Sequence, residues 1–277
     1  LKLKYNSYDD YIKFISSEDA LFHFTRKEIV LEHILCNKTL RMGEFSGTND
    51  PQEYKPKLMD TVGFELEEHH DKKLEKVETI IDSLLREKSK FISFCQNDIV
   101  DNRLFSHGVL KSRMWAQYGE NHKGACIVVS KSKLINQLET KFKSNYHIYC
   151  RNIQYEEPNL DRNIPYLDIN CSELNSLSAS EIAIKFVTQH TKECFFTKQP
   201  DYKDEMEFRC VVIPTSFESE PPIYIDLLQC VHSVILGDAF PKVYKPTMLD
   251  LAHKLSIPIK KLHWESHDYV LLNWNQS

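Results

Sequence analysis

Residues 198–214 read KQPDYKDEMEFRCVVIP, and the rest of the chain is interpreted outward from them. In an extended segment from Asp204 to Ile213 successive side chains alternate sides. Met206, Phe208, Cys210 and Val212 then face one way, and Glu205, Glu207, Arg209 and Val211 the other. An edge strand in water tolerates two carboxylates and a guanidinium as a solvated face with a surface pair. Val211, however, returns that face to apolar character and the run goes apolar on both sides, the pattern of an interior strand whose charges line a cleft.

The chain has 277 residues, 42% of them hydrophobic, enough to bury a sizeable core. It reads as a single domain, 1–277, with helical and loop insertions at about 55–90 and 156–197. Thirty-five basic residues against 40 acidic give a formal charge of −5, which argues against non-specific wrapping of nucleic acid as the main activity. The eight cysteines are widely spaced, with no CxxC or Cys/His ligand spacing. Free thiols in a reducing cytoplasm, and no structural metal, are the expectation. No apolar run approaches the ~20 residues of a membrane helix, and no signal-peptide pattern is present. A cytoplasmic protein without a membrane partner is expected; oligomeric state is not legible.

Along the chain, Tyr8, Tyr11, Ile12 and Ile15 give a short helix, and Leu21–Phe24 a strand carrying His23 at its end. Thr25 and Glu28 have capping-box spacing, which predicts a helix starting at Arg26. Thr39–Phe45 reads as a strand, and Asn49, Asp50 and Pro51 as a turn leading to Glu53. Leu74, Val77, Ile80, Ile81, Leu84 and Leu85 fall at helical spacing within a charged helix over 65–90. His69 and His70 on that helix diverge by ~100° and read as a solvated face. Strands follow at 91–98 (FISFCQND, with a polar Ser93), 125–129 and 146–155, and helices at 111–124, 130–142 and 180–196, with a polar loop over 158–176. Met114, Trp115 and Tyr118 cluster on the 111–124 helix, as core or as a binding platform. Further strands at 223–228, 231–237, 257–264 and the terminal DYVLLNW, with a helix near 247–255, complete an α+β pattern. Mixed or antiparallel sheets with flanking helices are expected, since no regular βαβ period, GxGxxG, P-loop, GxSxG or HExxH is present.

NDPQE at 49–53, ISF at 92–94, MWAQYGENHKG at 114–124 and KQPDYKDEMEFR at 198–209 resemble the successive signatures of a bacterial domain-of-unknown-function family, with Gln52 and Tyr202 in places commonly given to Phe and Trp. That family implies no settled activity. A more remote resemblance is to the ADP-ribosyltransferases. LFHFT is similar to their HxT form through His23 and Thr25, FISF offers Ser93 as the middle-strand polar residue, and EME offers Glu205 and Glu207 as the late ExE. The resemblance implies an ADP-ribosyltransferase-like fold and an NAD-dependent transferase or NAD glycohydrolase that cleaves the nicotinamide–ribose bond, with NAD as nucleotide substrate.

Cleaving that bond develops positive charge on the sugar, which a carboxylate near the ribose 2-hydroxyl stabilises. In the resemblance Glu207 takes this role, Glu205 orients or deprotonates the acceptor, His23 holds a ribose hydroxyl and Ser93 supports Glu207. Trp115 or Tyr118 would stack on nicotinamide, Thr25 would assist at the cofactor side, and Arg209 would pair with Glu207 or meet a phosphate. His23, Ser93 and Glu207 should then converge on one cleft, with Glu207 facing inward and Glu205 at the rim. The acceptor, whether protein, nucleic acid, small molecule or water, is open, as is a role as toxin or phage-defence effector. Two other classes compete. One is a metal-dependent nuclease or hydrolase using Asp50, Glu53, Glu205 and Glu207 with Lys198 or Lys203 nearby. The other is a non-catalytic nucleotide-sensing or interaction domain.

Overall fold

The computed structural model describes residues 8–48, 50–54, 61–62, 71–157, 167–168, 171–217 and 221–273. Asn49, the start of the expected helix at Glu65 with His69 and His70, and most of the polar loop over 158–176 lie outside these residues.

A mixed sheet of nine strands forms the frame of an α+β fold. Its strands are β1 Ala20–Thr25, β2 Gly43–Glu44, β3 Lys90–Gln96, β4 Ala125–Ser130, β5 Tyr146–Asn152, β6 Glu207–Pro214, β7 Val231–Leu236, β8 Ile259–Glu265 and β9 Asp268–Asn273. Their order is β9-β8-β7-β4-β1-β3-β6-β5, with β2 also pairing β3. Every pairing is antiparallel except β7 with β8. Strands β4, β6 and β7 are buried along their whole length, as expected of strands covered on both faces.

The helices that cover the sheet are α1 Tyr8–Ile15, α2 Asp71–Ser83, α3 Ser112–Gln117, α4 Lys131–Phe142, α5 Ala179–Gln189 and α6 Lys245–Leu255. One face of the sheet, with Leu21, Phe94, Ile127, Phe208, Cys210 and Val212, packs against a π-helical segment Ile29–Leu35 and against α4 and α6. The opposite face is shared by two clusters. Val211 and Ile213 pack under α2 and α5, while Phe22, Phe24, Cys126 and Val128 pack under α1 and α3. The alternation expected around Phe208–Val212 is therefore present, with Glu207 and Arg209 on the Val211 side.

Three local expectations are corrected. Thr25 caps no helix: it ends β1, the following helix begins at Lys27, and Glu28 lies inside it with helical backbone, its carboxylate paired with Lys27 at 2.6 Å. The apolar run ALFHFT continues its ladder against β4 as far as Thr25, and strand pairing wins over the capping spacing. Glu205 is not on the strand: Pro200–Glu205 is a 3₁₀ segment, Met206 is left-handed at φ 45°, and β6 begins at Glu207. In the third case Tyr224–Asp226 is a strand, but Leu227–Cys230 turns helical because the Asp226 carboxylate accepts from Leu228 N.

The sheet is split beside β3. β1 pairs with it only at Leu21 with Gln96 and Phe22 with Cys95, and β2 takes the other end of the same edge at Phe91 and Lys90. Residues 92–94 are left without a strand partner on that edge, and the split opens the cleft described next.

Candidate functional site

The cleft has a volume of about 340 Å³ and opens over the split, within the range of small-molecule sites. Apolar walls come from Phe22, Phe24, Phe91, Phe94 and Met114, and polar ones from His23, Arg41, Asp50, Glu53, Ser93, Tyr118, Lys198, Tyr202, Glu205 and Glu207.

Each polar side chain is set by its element. Glu207 is the first residue of β6, directly opposite Cys95. Its backbone N–H donates to Tyr155 Oη at 2.9 Å and its carbonyl accepts from Ile153 N at 2.9 Å. Ser93 Oγ donates to Glu207 Oε1; Arg209 Nε donates to the same oxygen at 2.6 Å, and Lys198 Nζ lies 2.8 Å from Oε2. Lys198 also donates to Glu205 Oε2 at 3.0 Å, and Tyr118 Oη donates to Glu205 Oε1 at 2.7 Å. Lys198 is thus shared by both glutamates. Arg209 turns its remaining nitrogens to Glu53 Oε1 at 2.6 Å and to the Phe195 carbonyl at 2.8 Å. Glu53 sits on the short helix Pro51–Tyr54.

Glu205, Glu207 and Arg209 are only 3%, 4% and 1% exposed, so this is a buried network in which each charge depends on its partners. Burial by itself would raise the Glu207 carboxyl, but the charges of Arg209 and Lys198 overrule it and hold it at about 2. Burial likewise works to lower Lys198, and the charges of Glu207, Glu53 and Glu205 outweigh it and raise it. The Tyr118 hydroxyl is raised by burial and by the neighbouring Glu205 charge, so it remains a donor. Burial pushes the Cys95 thiol in the cleft wall up to about 12, which removes it as a nucleophile at neutral pH.

Strand alternation puts His23 on the Leu21 side of β1, opposite Phe22 and Phe24. It reaches the cleft through the split, where its Nδ1 meets the unpaired Ser93 carbonyl at 3.0 Å. A carbonyl can only accept, so Nδ1 carries the proton and Nε2 is left as an acceptor. Burial lowers its pKa and keeps the ring neutral.

His23, Ser93, Tyr118, Glu205 and Glu207 all border one cleft, but His23 enters it from the Leu21 face of the sheet and Glu207 from the Val211 face, so the two do not converge on one face as expected, and Glu205 is buried beside Lys198 rather than at the rim. Thr25, Trp115 and Arg209 do not line it. Trp115 is fully buried, donates Nε1–H to the Val109 carbonyl at 2.7 Å and meets Phe24 edge-on. Arg209 has no face free for a phosphate. Lys198, a candidate only in the hydrolase reading, is the central cation of the network. The signal for it was electrostatic: an interior strand with two carboxylates and one guanidinium needs another cation.

Asp50 and Glu53 also line the cleft. Among the described residues no group of three or more His, Cys, Asp or Glu side chains has the arrangement of a metal site, and the ammonium of Lys198 lies within 3.0 Å of both the Glu205 and the Glu207 carboxylates.

These features define a ligand cleft built on a split α+β sheet around a buried acid–base network. Residues 114–210 match the model of a family described as Protein of unknown function (DUF2971). The matched segment contains Tyr118, Lys198, Glu205, Glu207 and Arg209; His23, Ser93, Asp50 and Glu53 lie before it. No curated protein and no solved structure matches the chain.

Proposed function

We propose that the cleft binds the nicotinamide–ribose end of NAD as a substrate and cleaves the bond between them, as an ADP-ribosyltransferase or NAD glycohydrolase. The observation that carries this reading is that Glu207, ionised and held by Ser93 Oγ, lines the same cleft as a neutral His23 with an acceptor nitrogen. As the C–N bond breaks, its electron pair leaves with nicotinamide and positive charge develops on the ribose. The Glu207 carboxylate lies in a water-poor site, where a fixed charge acts most strongly on such a cation. His23 Nε2 accepts from a ribose hydroxyl, the aromatic walls take the nicotinamide ring, and Glu205 serves the acceptor. Water as acceptor gives a glycohydrolase and any other nucleophile a transferase.

The test is incubation of the full chain with NAD, with and without chelator, following nicotinamide release. Release that is insensitive to chelator and falls at least ~10²-fold in Glu207→Gln, the scale of losing one electrostatic stabiliser, is expected. The presence of Asp50, Glu53, Glu205 and Glu207 in one cleft favours a second reading, a metal-dependent nuclease or hydrolase. Turnover abolished by chelator would select it. Tight nucleotide binding without turnover would leave a nucleotide-sensing domain.

A further inference from the structure

We propose that Cys150 and Cys210 are an oxidation site, at which a hydroperoxide converts two thiols into a disulfide that staples β5 to β6 on the sheet face opposite Glu207. The two residues are direct partners in the β6–β5 ladder. The bond from Ile153 N to the Glu207 carbonyl marks 207 and 153 as a hydrogen-bonded pair. Alternation along an antiparallel ladder then makes 210 and 150 a non-hydrogen-bonded pair, whose Cα atoms are ~4.5 Å apart, at the short end of the roughly 4.4–6.8 Å that a disulfide spans.

Their surroundings assign them different parts. Cys210 is buried, whereas Cys150 is partly exposed and lines a separate surface depression with Lys131, Arg151 and Lys192. Burial pushes the Cys210 thiol well above its usual range, so it waits as the protonated partner. In the first step the Cys150 thiolate attacks the distal peroxide oxygen, the O–O bond breaks, and the alkoxide or hydroxide leaves and takes up a proton. In the second, the Cys210 thiol passes its proton directly to the sulfenic hydroxyl of Cys150 as its sulfur displaces that hydroxyl, so no free Cys210 thiolate is needed. The S–S bond forms as S–O breaks, and the Cys210 proton leaves with hydroxide as water. Two thiols and one hydroperoxide thus give one disulfide, water and the alcohol, or a second water with hydrogen peroxide.

The proposal does not depend on what the cleft binds. The experiment treats the reduced full chain with hydrogen peroxide, alkylates the remaining thiols and maps the peptides by mass. Expected are a 150–210 cross-link reversed by dithiothreitol, its loss in Cys150→Ser, and trapping of sulfenic acid at Cys150 by dimedone in Cys210→Ser. The oxidised wild type should melt about 5 °C higher, because the bridge closes a long loop. Cys36, exposed at the end of the helical segment Ile29–Leu35, reports overall oxidation. Alkylation of both Cys150 and Cys210 after Cys36 has been oxidised would overturn the proposal, as would conversion of Cys150 to sulfinic acid without a cross-link.

Discussion

Ser93 touches Glu207 with a hydroxyl and no charge, so its removal tests orientation without disturbing the ion pairs. Ser93→Ala should lower nicotinamide release about tenfold and cost only ~1 kcal/mol of stability, the scale of one hydrogen bond. Glu207→Gln is a harsher change. It leaves Arg209 and Lys198 facing each other with one fewer anion, and breaking a buried pair costs ~3–5 kcal/mol, so its activity must be normalised to the folded fraction from a denaturant curve. The pH dependence has a definite sign. With the folded carboxyl of Glu207 at about 2 against an ordinary 4.5, the unfolded chain takes the proton first. The stability from this group is complete above pH 4.5 and lost as pH falls towards 2. The gap between wild type and Glu207→Gln in urea midpoint should therefore close over that window. His23, held below 6.5 by burial, acts in the same direction: acid favours the unfolded chain. At this scale the sequence revealed which acids would be interior, because the apolar run through Val211 demanded it. That Arg209 would be wholly consumed by Glu53, Phe195 and Glu207 depended on two segments with no local mark.

Among the elements, the loop after α3 is the most tightly built. Glu120, Asn121 and His122 are all left-handed, with φ of 53°, 51° and 65°, and the chain closes through Gly124 N to the Gly119 carbonyl at 2.8 Å. A Cβ on Gly124 would stand 2.1 Å from the carbonyl oxygen of Thr25, backbone against backbone. Gly124→Ala should therefore lower the unfolding midpoint by more than about 5 °C, since overpacking costs ~1–3 kcal/mol or more where nothing flexible can give way; a thermal melt measures it. The MWAQYGENHKG stretch thus serves mainly as scaffold: Trp115 fills the core, His122 stacks beside it, and Tyr118 alone reaches the glutamates. Its composition favours a core over a binding platform, and the burial of Trp115 agrees. Met206 shows a different limit. Period-two alternation put Glu205 on the strand, yet a single left-handed residue ends the strand early and still brings both carboxylates to Lys198.

Across the whole molecule, the position and polarity of the main strands follow from their apolar runs, while the split beside β3 does not. It arises because β1 and β2, separated by the helix at 27–37, share one edge of the same strand, a matter of tertiary competition for hydrogen bonds rather than of local propensity. Arg209 joins parts of the chain that are far apart: the helix at Glu53, the end of the segment at Phe195, and β6 itself. Its guanidinium can leave water only when all three have arrived, and a partly assembled pocket would strand a bare charge. The guanidinium should accordingly be sealed in after the main folding barrier has been crossed. Stopped-flow traces of Arg209→Met should show faster unfolding with little change in refolding, the pattern of interactions absent from the transition state. In that sense the arginine acts as a latch on the lifetime of the native state, setting how long the cleft, once made, stays closed against the solvent.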